Sequence, residues 1–286
     1  MKIRYPNFIC VGAQKSGTTW LYENLKNQAG VALPAVKELH YFNEIWLPFQ
    51  RDWTQAHRRK QVLDHVEWYM NNVPRSDWNA GYLNSVMQIS EAPICDKWYG
   101  TIFGDLPEHA VVGEMTPEYA LLPLTGIQHI LRLNEQMKFI FVVRDPIERA
   151  WSQLKMIVRN EGHEPSLDTY RRLLEYQDIT KRSNYFETIR TIDEAGAGSQ
   201  LYWTSIDAII SEPRQVLQDV CHFIGVSVET LNLDRASEII HEGTSASIPD
   251  ELYEPMWSKL ADCYNLFEQI SPSLVGQWRE RSRRAS

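Results

Sequence analysis

Apolar runs and amphipathic stretches alternate along the chain. Phe8-Ile-Cys-Val11 is a continuous apolar run after Pro6 that opens onto Gly12, and the stretch from Thr18 to Gln28 then carries Leu21 and Leu25 on one helical face. A run with no polar face predicts a strand buried on both sides, and the spacing after it predicts a helix. The order recurs at Phe139-Ile-Phe-Val-Val143, followed by the turn Arg144-Asp-Pro146 and a helix from Ile147 to Arg159. Pro146 suits the start of that helix, where a missing N–H costs nothing. Ala110-Val-Val-Gly113 predicts another strand, with Ile127 to Gln136 as the helix crossing back to Phe139. A fourth strand is expected at Gln200–Trp203, backed by a helix over Glu212–Ile224. From Pro249 to Ile270, Leu252, Met256, Leu260, Tyr264 and Phe267 form a helical core stripe. Buried strands each followed by a helix predict an α/β three-layer sandwich, a central parallel sheet flanked by helices.

Residues 43–108 break this alternation. Trp46, Trp53, Trp68, Trp78 and Trp98 fall there among Asn, Pro and Gly breaks, and no strong strand pattern appears. The stretch reads as a helical, Trp-rich insertion beside the sheet, its rings either lining a substrate groove or building a satellite core. No repeat, low-complexity segment or linker interrupts the chain, so residues 1–286 read as a single domain.

Composition narrows the partners. A net charge of −8 and a pI near 5.5 exclude a general nucleic-acid surface, which needs a basic stripe to displace counterions. An anionic ligand must therefore meet a local site. No run approaches the roughly 20 apolar residues that span a bilayer, and residues 1–10 lack a signal-peptide layout, so a cytoplasmic protein with no transmembrane segment is expected. Cys10, Cys95, Cys221 and Cys263 are far apart, three of them in apolar segments, which predicts reduced thiols. The eight histidines show no HExxH or paired Cys/His spacing, so no metal is expected. Arg279-Glu-Arg-Ser-Arg-Arg284 reads as a solvated or frayed terminus.

The chemistry gathers in Val11-Gly-Ala-Gln-Lys-Ser-Gly-Thr-Thr-Trp20. A Walker loop, GxxxxGK[ST], places its lysine after the second glycine. Here the spacing of Gly12 and Gly17 survives, Thr18 stands in the lysine position, and Lys15 lies inside the loop. Backbone N–H groups of Ser16, Gly17, Thr18 and Thr19 at a helix N-terminus still predict an anion site. At the end of the strand Phe139–Val143, Arg144 can share the crevice at the carboxyl ends of the strands and hold a second phosphate, with Ser152 two turns on as hydroxyl donor. Asp145 reads as a helix cap.

These stretches resemble the sulfotransferases. The loop looks like their site for the 5′-phosphosulfate of 3′-phosphoadenosine 5′-phosphosulfate (PAPS), and Val142 to Gln153 looks like their 3′-phosphate motif. Lys37-Glu-Leu-His-Tyr-Phe42 and Gly113 to Leu122 are similar to segments of the glycan branch, including heparan sulfate enzymes and bacterial relatives. The resemblance implies the P-loop NTPase-like sulfotransferase fold and transfer from PAPS to an acceptor hydroxyl or amine, on a carbohydrate or small molecule, leaving adenosine 3′,5′-bisphosphate. It implies that Lys15 neutralises the bridging oxygen and sulfuryl group, that Ser16, Gly17, Thr18 and Thr19 hold the 5′-phosphate, and that Arg144 and Ser152 take the 3′-phosphate. It further implies Glu38 as general base with His40 beside it, and Tyr185, in Ser183 to Ile192, approaching the nucleotide. Lys37 and Glu114 are second-tier candidates for the same pocket. One departure is that Glu242 to Glu251 carries no basic residue where relatives often close the nucleotide site, so that either the backbone and hydroxyls of Thr244 and Ser245 do that task or the cofactor is held less tightly. A magnesium-dependent small-molecule kinase and a catalytically silent nucleotide- or partner-binding protein are the competing readings.

Overall fold

The computed structural model describes residues 2–91, 94–238 and 247–285, with side chains up to residue 281. Five strands, β1 (Phe8–Gly12), β2 (Val31–Ala32), β3 (Val111–Met115), β4 (Lys138–Val143) and β5 (Leu201–Ser205), form one parallel sheet in the order β2-β3-β1-β4-β5. The expected α/β sandwich is thus present, with β1 central between β3 and β4. Strand β2 has only two residues, too few to show a period. It forms because Val31 and Ala32 pair with Val111 and Val112.

Alternation along β1 builds the three layers. Ile9 and Val11 join Val112, Phe139, Phe141 and Val143 in a core on one face, while Phe8 and Cys10 join Met115, Ile140 and Val142 in a core on the other. Helices Thr18–Lys26 and Pro213–Ile224 cover the second face, and Pro146–Glu161 and Asp250–Phe267 help cover the first.

The Trp-rich stretch is helical, with Arg51–Asn72, Ala80–Gln88 and Asp96–Gly104 as its longer helices. Rather than a separate satellite core, its Val62, Val86, Ile89, Tyr99 and Phe103 join the core of the first sheet face. Trp46 and Trp98 pack against that core, whereas Trp53 and Trp68 stay half exposed. A buried pair, Arg58 to Glu44 at 2.8 Å with the guanidinium over Trp98, ties the long helix down.

Arg279 and Arg281 of the C-terminal stretch are engaged rather than solvated. Pro272–Ala285 is a helix, Arg279 pairs with Glu268 at 2.8 Å, Arg281 pairs with Asp207, and Trp278 is buried. The four cysteines are free, and only Cys95 is exposed. Among the described residues no helix is long and apolar enough to cross a membrane.

Glu114 lies within the core rather than in the crevice. It is buried on β3, neither carboxylate oxygen makes a hydrogen bond, and burial lifts its pKa to about 8 although the phenols of Tyr119 and Tyr99 pull against it. A folded pKa above the unfolded one gives stability that is full below about 4.5 and lost as pH rises through about 8. The penalty at alkaline pH is on the order of a few kcal/mol. Glu114→Gln should therefore flatten the fall in melting temperature between pH 5 and pH 9. An unchanged slope would assign that fall to other groups.

Candidate active site

The loop after β1 and the end of β4 meet at the carboxyl edge of the sheet. Gly12 has φ 155°, and a Cβ there would come within 3.0 Å of Ala120 and 3.1 Å of Phe141 and of the Pro117 carbonyl. Only glycine lets the strand turn this close to its neighbours. The Ala13 N–H donates to the Val142 carbonyl at 2.7 Å, and the Ser16 N–H closes the turn onto the Ala13 carbonyl at 3.2 Å. Gly17, with φ 98°, caps the helix Thr18–Lys26.

Closure of that turn changes the predicted cradle. The Ser16 amide is occupied, so its share falls to a hydroxyl that is buried and without a hydrogen-bond partner. The amides of Thr18 and Thr19 lie in the first helical turn, where N–H groups have no acceptor within the helix. Lys15 sits in the left-handed region at φ 69°. Burial pushes its ammonium below the ordinary value, and Arg159, Arg144, Lys155 and Lys37 add repulsion. No carboxylate pairs with Lys15 among the described residues. Five cations around one loop create a field that an anion relieves.

Arg144 joins the two motifs directly: its guanidinium donates to the Lys15 carbonyl at 3.3 Å and to Glu148 at 3.1 and 3.2 Å. Beneath it, the buried Tyr185 donates to the Arg144 carbonyl at 2.6 Å, which makes it a support of the strand end. Ser152 is half buried in the helix Pro146–Glu161, one turn before Lys155 and two before Arg159. Sequence reasoning overlooked Lys155 and Arg159, although positions 152, 155 and 159 share a helical face. Asp145 is the expected cap, accepting from the Ile147 and Glu148 amides at 2.9 and 3.2 Å and from the Tyr264 hydroxyl at 2.6 Å. Burial raises its pKa to about 6.

A second cluster stands on the segment before the helix Tyr41–Trp46. Lys37 reaches Thr19 Oγ1 at 3.3 Å and Glu38 Oε1 at 3.4 Å, so this segment touches the helix that follows the Gly12–Gly17 loop. Glu38 and His40 both adopt positive φ, 63° and 55°, and the Glu38 amide donates to the Met115 carbonyl at 3.2 Å. Glu38 Oε2 lies 3.5 Å from His40 Nε2 and 3.8 Å from His57 Nε2. Burial pushes the Glu38 carboxyl up, but His40, Lys37 and His57 together outweigh it and hold the pKa at about 2. His40 is fully buried while the Glu38 side chain is 24% exposed, so Glu38 is the group of the two that can touch an acceptor. His57 escaped sequence reasoning because its approach depends on which face of the helix Arg51–Asn72 turns inward. Trp53, stacked on His57 at 4.9 Å, walls the cluster on its outer side.

Glu118, a carboxylate that touches the loop, is already engaged: it accepts from Gln14 at 2.9 Å and from Arg182 at 2.8 Å. Thr244 and Ser245 lie outside the described residues.

Comparison with known proteins bears on the fold and the family. A crystal structure of a sulfotransferase from Alicyclobacillus acidocaldarius superposes with a TM-score of 0.66 at 19% identity, covering 97% of this chain and all of that one. A mouse sulfotransferase complexed with PAP gives a TM-score of 0.52 at 13% identity over 99% of this chain and 90% of that one. These likenesses establish the fold. In sequence, a membrane-associated sulfotransferase of Dictyostelium discoideum is 26% identical over 148 residues, 52% of this chain, and the match spans only 22% of that protein. The model of the sulfotransferase family matches residues 6–230, well over half of the chain. The protein therefore belongs to the sulfotransferase family.

Proposed function

We propose that the protein transfers a sulfuryl group from PAPS to a hydroxyl or amine of a carbohydrate or small-molecule acceptor. The observation that carries this reading is the meeting of two cationic phosphate positions, Lys15 in its loop and Arg144 at the end of β4, joined by one hydrogen bond of 3.3 Å. Family membership, the orphaned Ser16 hydroxyl and the close approach at Gly12 support it. PAPS supplies an activated sulfuryl group on a phosphate leaving group.

The amides of Gly17, Thr18 and Thr19 and the Ser16 hydroxyl hold the 5′-phosphate. Arg144 and Ser152, aided by Lys155 and Arg159, bind the 3′-phosphate, and Tyr185 keeps Arg144 in place. Glu38 takes the acceptor proton as the acceptor oxygen or nitrogen bonds to sulfur, while Lys15 meets the charge left on the departing phosphate oxygen. His40 and Lys37 position Glu38, and the half-exposed ring of Trp53 offers a stacking face to a sugar or an aromatic acceptor.

Calorimetry with adenosine 3′,5′-bisphosphate, paired with transfer from labelled PAPS into acceptor pools, tests this reading. Binding is expected without magnesium, and Arg144→Met should weaken it by about 10- to 100-fold, since hydrogen bonds to charged groups are worth roughly 1.5–3 kcal/mol. Tight, magnesium-dependent binding of ATP in its place would indicate a kinase. Binding without transfer to any pool would indicate a silent nucleotide-binding protein.

A further inference from the structure

Glu38, His40 and His57 direct one ligand atom each into a common space, all three within 4.8 Å of one another. The hydrogen bonds around the rings decide what these atoms present. Asn43 Nδ2 donates to Gln50 Oε1 at 2.8 Å, which turns Asn43 Oδ1 to face His40 Nδ1 at 3.2 Å. That oxygen only accepts, so Nδ1 carries the proton and the Nε2 of a neutral ring is a bare lone pair. His40 Nε2 is buried, has no hydrogen-bond partner and points at the carboxylate. On the second ring, Gln61 Nε2 lies 3.1 Å from His57 Nε2. An amide nitrogen only donates, so His57 Nε2 is an acceptor as well. In the unprotonated state of both rings, two imidazole lone pairs and a carboxylate oxygen therefore converge, a set that either a proton on a ring, which holds the Glu38 carboxyl low, or a metal ion in its place brings together.

Their spacing suits a metal ion. Bonds of about 2.0–2.2 Å in a tetrahedral zinc site put ligand atoms roughly 3.3–3.5 Å apart, against 3.5 and 3.8 Å from Glu38 to the two histidines and at most 4.8 Å between the histidines, which must draw together on binding. The Nδ1–H of His40 already donates to an outer partner, as histidine ligands to metals do. Trp53 stacks on His57 at 4.9 Å and lies edge-on to His40 at 4.9 Å, giving the cluster an apolar wall. Opposing groups are Lys37, 3.4 Å from the other Glu38 oxygen, and Gln61, whose contact with His57 must be released.

We propose that Glu38 Oε2, His40 Nε2 and His57 Nε2 reversibly bind one zinc-class divalent ion, and that occupancy blocks transfer by taking Glu38 from the acceptor. The binding stands on this geometry alone, whereas the block rests on the role of Glu38 proposed above. Cobalt(II), whose tetrahedral complexes absorb in the visible, is the probe. Titrated into the metal-free full chain carrying Cys95→Ser, which removes the exposed thiol, it should give one saturable band that zinc displaces. His57→Ala should lose the band with its circular dichroism unchanged, and His57→Phe, which keeps the stack on Trp53, should lose it too. No band in the parent, or an undiminished band in both His57 variants, overturns the site. Zinc should also inhibit transfer competitively against the acceptor. A cobalt band accompanied by undiminished transfer in zinc overturns the block and the placement of Glu38 beside the acceptor, leaving the metal site itself standing.

Discussion

Lys15→Ala is expected to lower the rate of transfer by at least about 10²–10³-fold, the scale for removing one preorganised group aimed at developing charge. Its ammonium is held among four other cations, without a carboxylate partner among the described residues, and burial already lowers its pKa. The folded chain gains nothing from that arrangement, since a lysine at φ 69° surrounded by like charge is a cost in the absence of an anion. Alanine keeps the same backbone requirement and relieves the repulsion, so thermal stability should be equal or slightly higher. Binding of adenosine 3′,5′-bisphosphate should change far less than turnover, because charge on the leaving phosphate oxygen grows only in the transition state. Turnover close to the parent's, in a correctly folded variant, would remove Lys15 from the chemistry. Equal losses in nucleotide affinity and in rate would make it a binding residue only.

Glu38→Gln is expected to cut kcat by about 10²–10⁴-fold, the usual contribution of a positioned base, with nucleotide affinity nearly unchanged. A carboxyl held at about 2 is ionised at every working pH but is a weak base in the resting site. Proton transfer to it becomes favourable once bond formation to sulfur has made the acceptor O–H or N–H acidic, which places the step late. The same shift has a stability consequence of definite sign. A folded pKa of about 2 against an ordinary 4.5 contributes stability above about pH 4.5 that is lost as pH falls toward 2. Glu38→Gln should therefore flatten the acid limb of the unfolding curve as well as lower turnover. If nucleotide affinity collapses with the rate, Glu38 supports the phosphate loop through Lys37 and Thr19 rather than serving as a base.

How much of this was legible in the chain differs from residue to residue. Gly12, Lys15 and Gly17 are separated by a few positions in one loop, so their spacing alone encodes the turn and where the charge sits. Arg144 follows a continuous apolar run, and the rule that parallel strands end at a shared edge brings it to the same crevice. Asp145 announced itself as a cap because Pro146 follows. Occupation of the Ser16 amide was not legible, since it depends on the loop closing on the Ala13 carbonyl. Glu114 illustrates the reverse error: beside a recognisable motif it reads as a pocket residue, yet strand alternation and burial put it in the core.

By itself the sequence determined the parallel α/β sandwich, the glycine-framed loop after β1 and the exchange of a Walker lysine for Lys15, because buried strands, helices and tight turns are each specified by neighbours along the chain. Tertiary structure alone decided that Lys15 and Arg144 touch, that Tyr185 supports Arg144 from the core, and that His57 joins Glu38 and His40. Those contacts link residues 129, 41 and 19 positions apart. Contacts of that range are set by how helices pack on the sheet, which turns a particular face inward and which local periodicity does not encode.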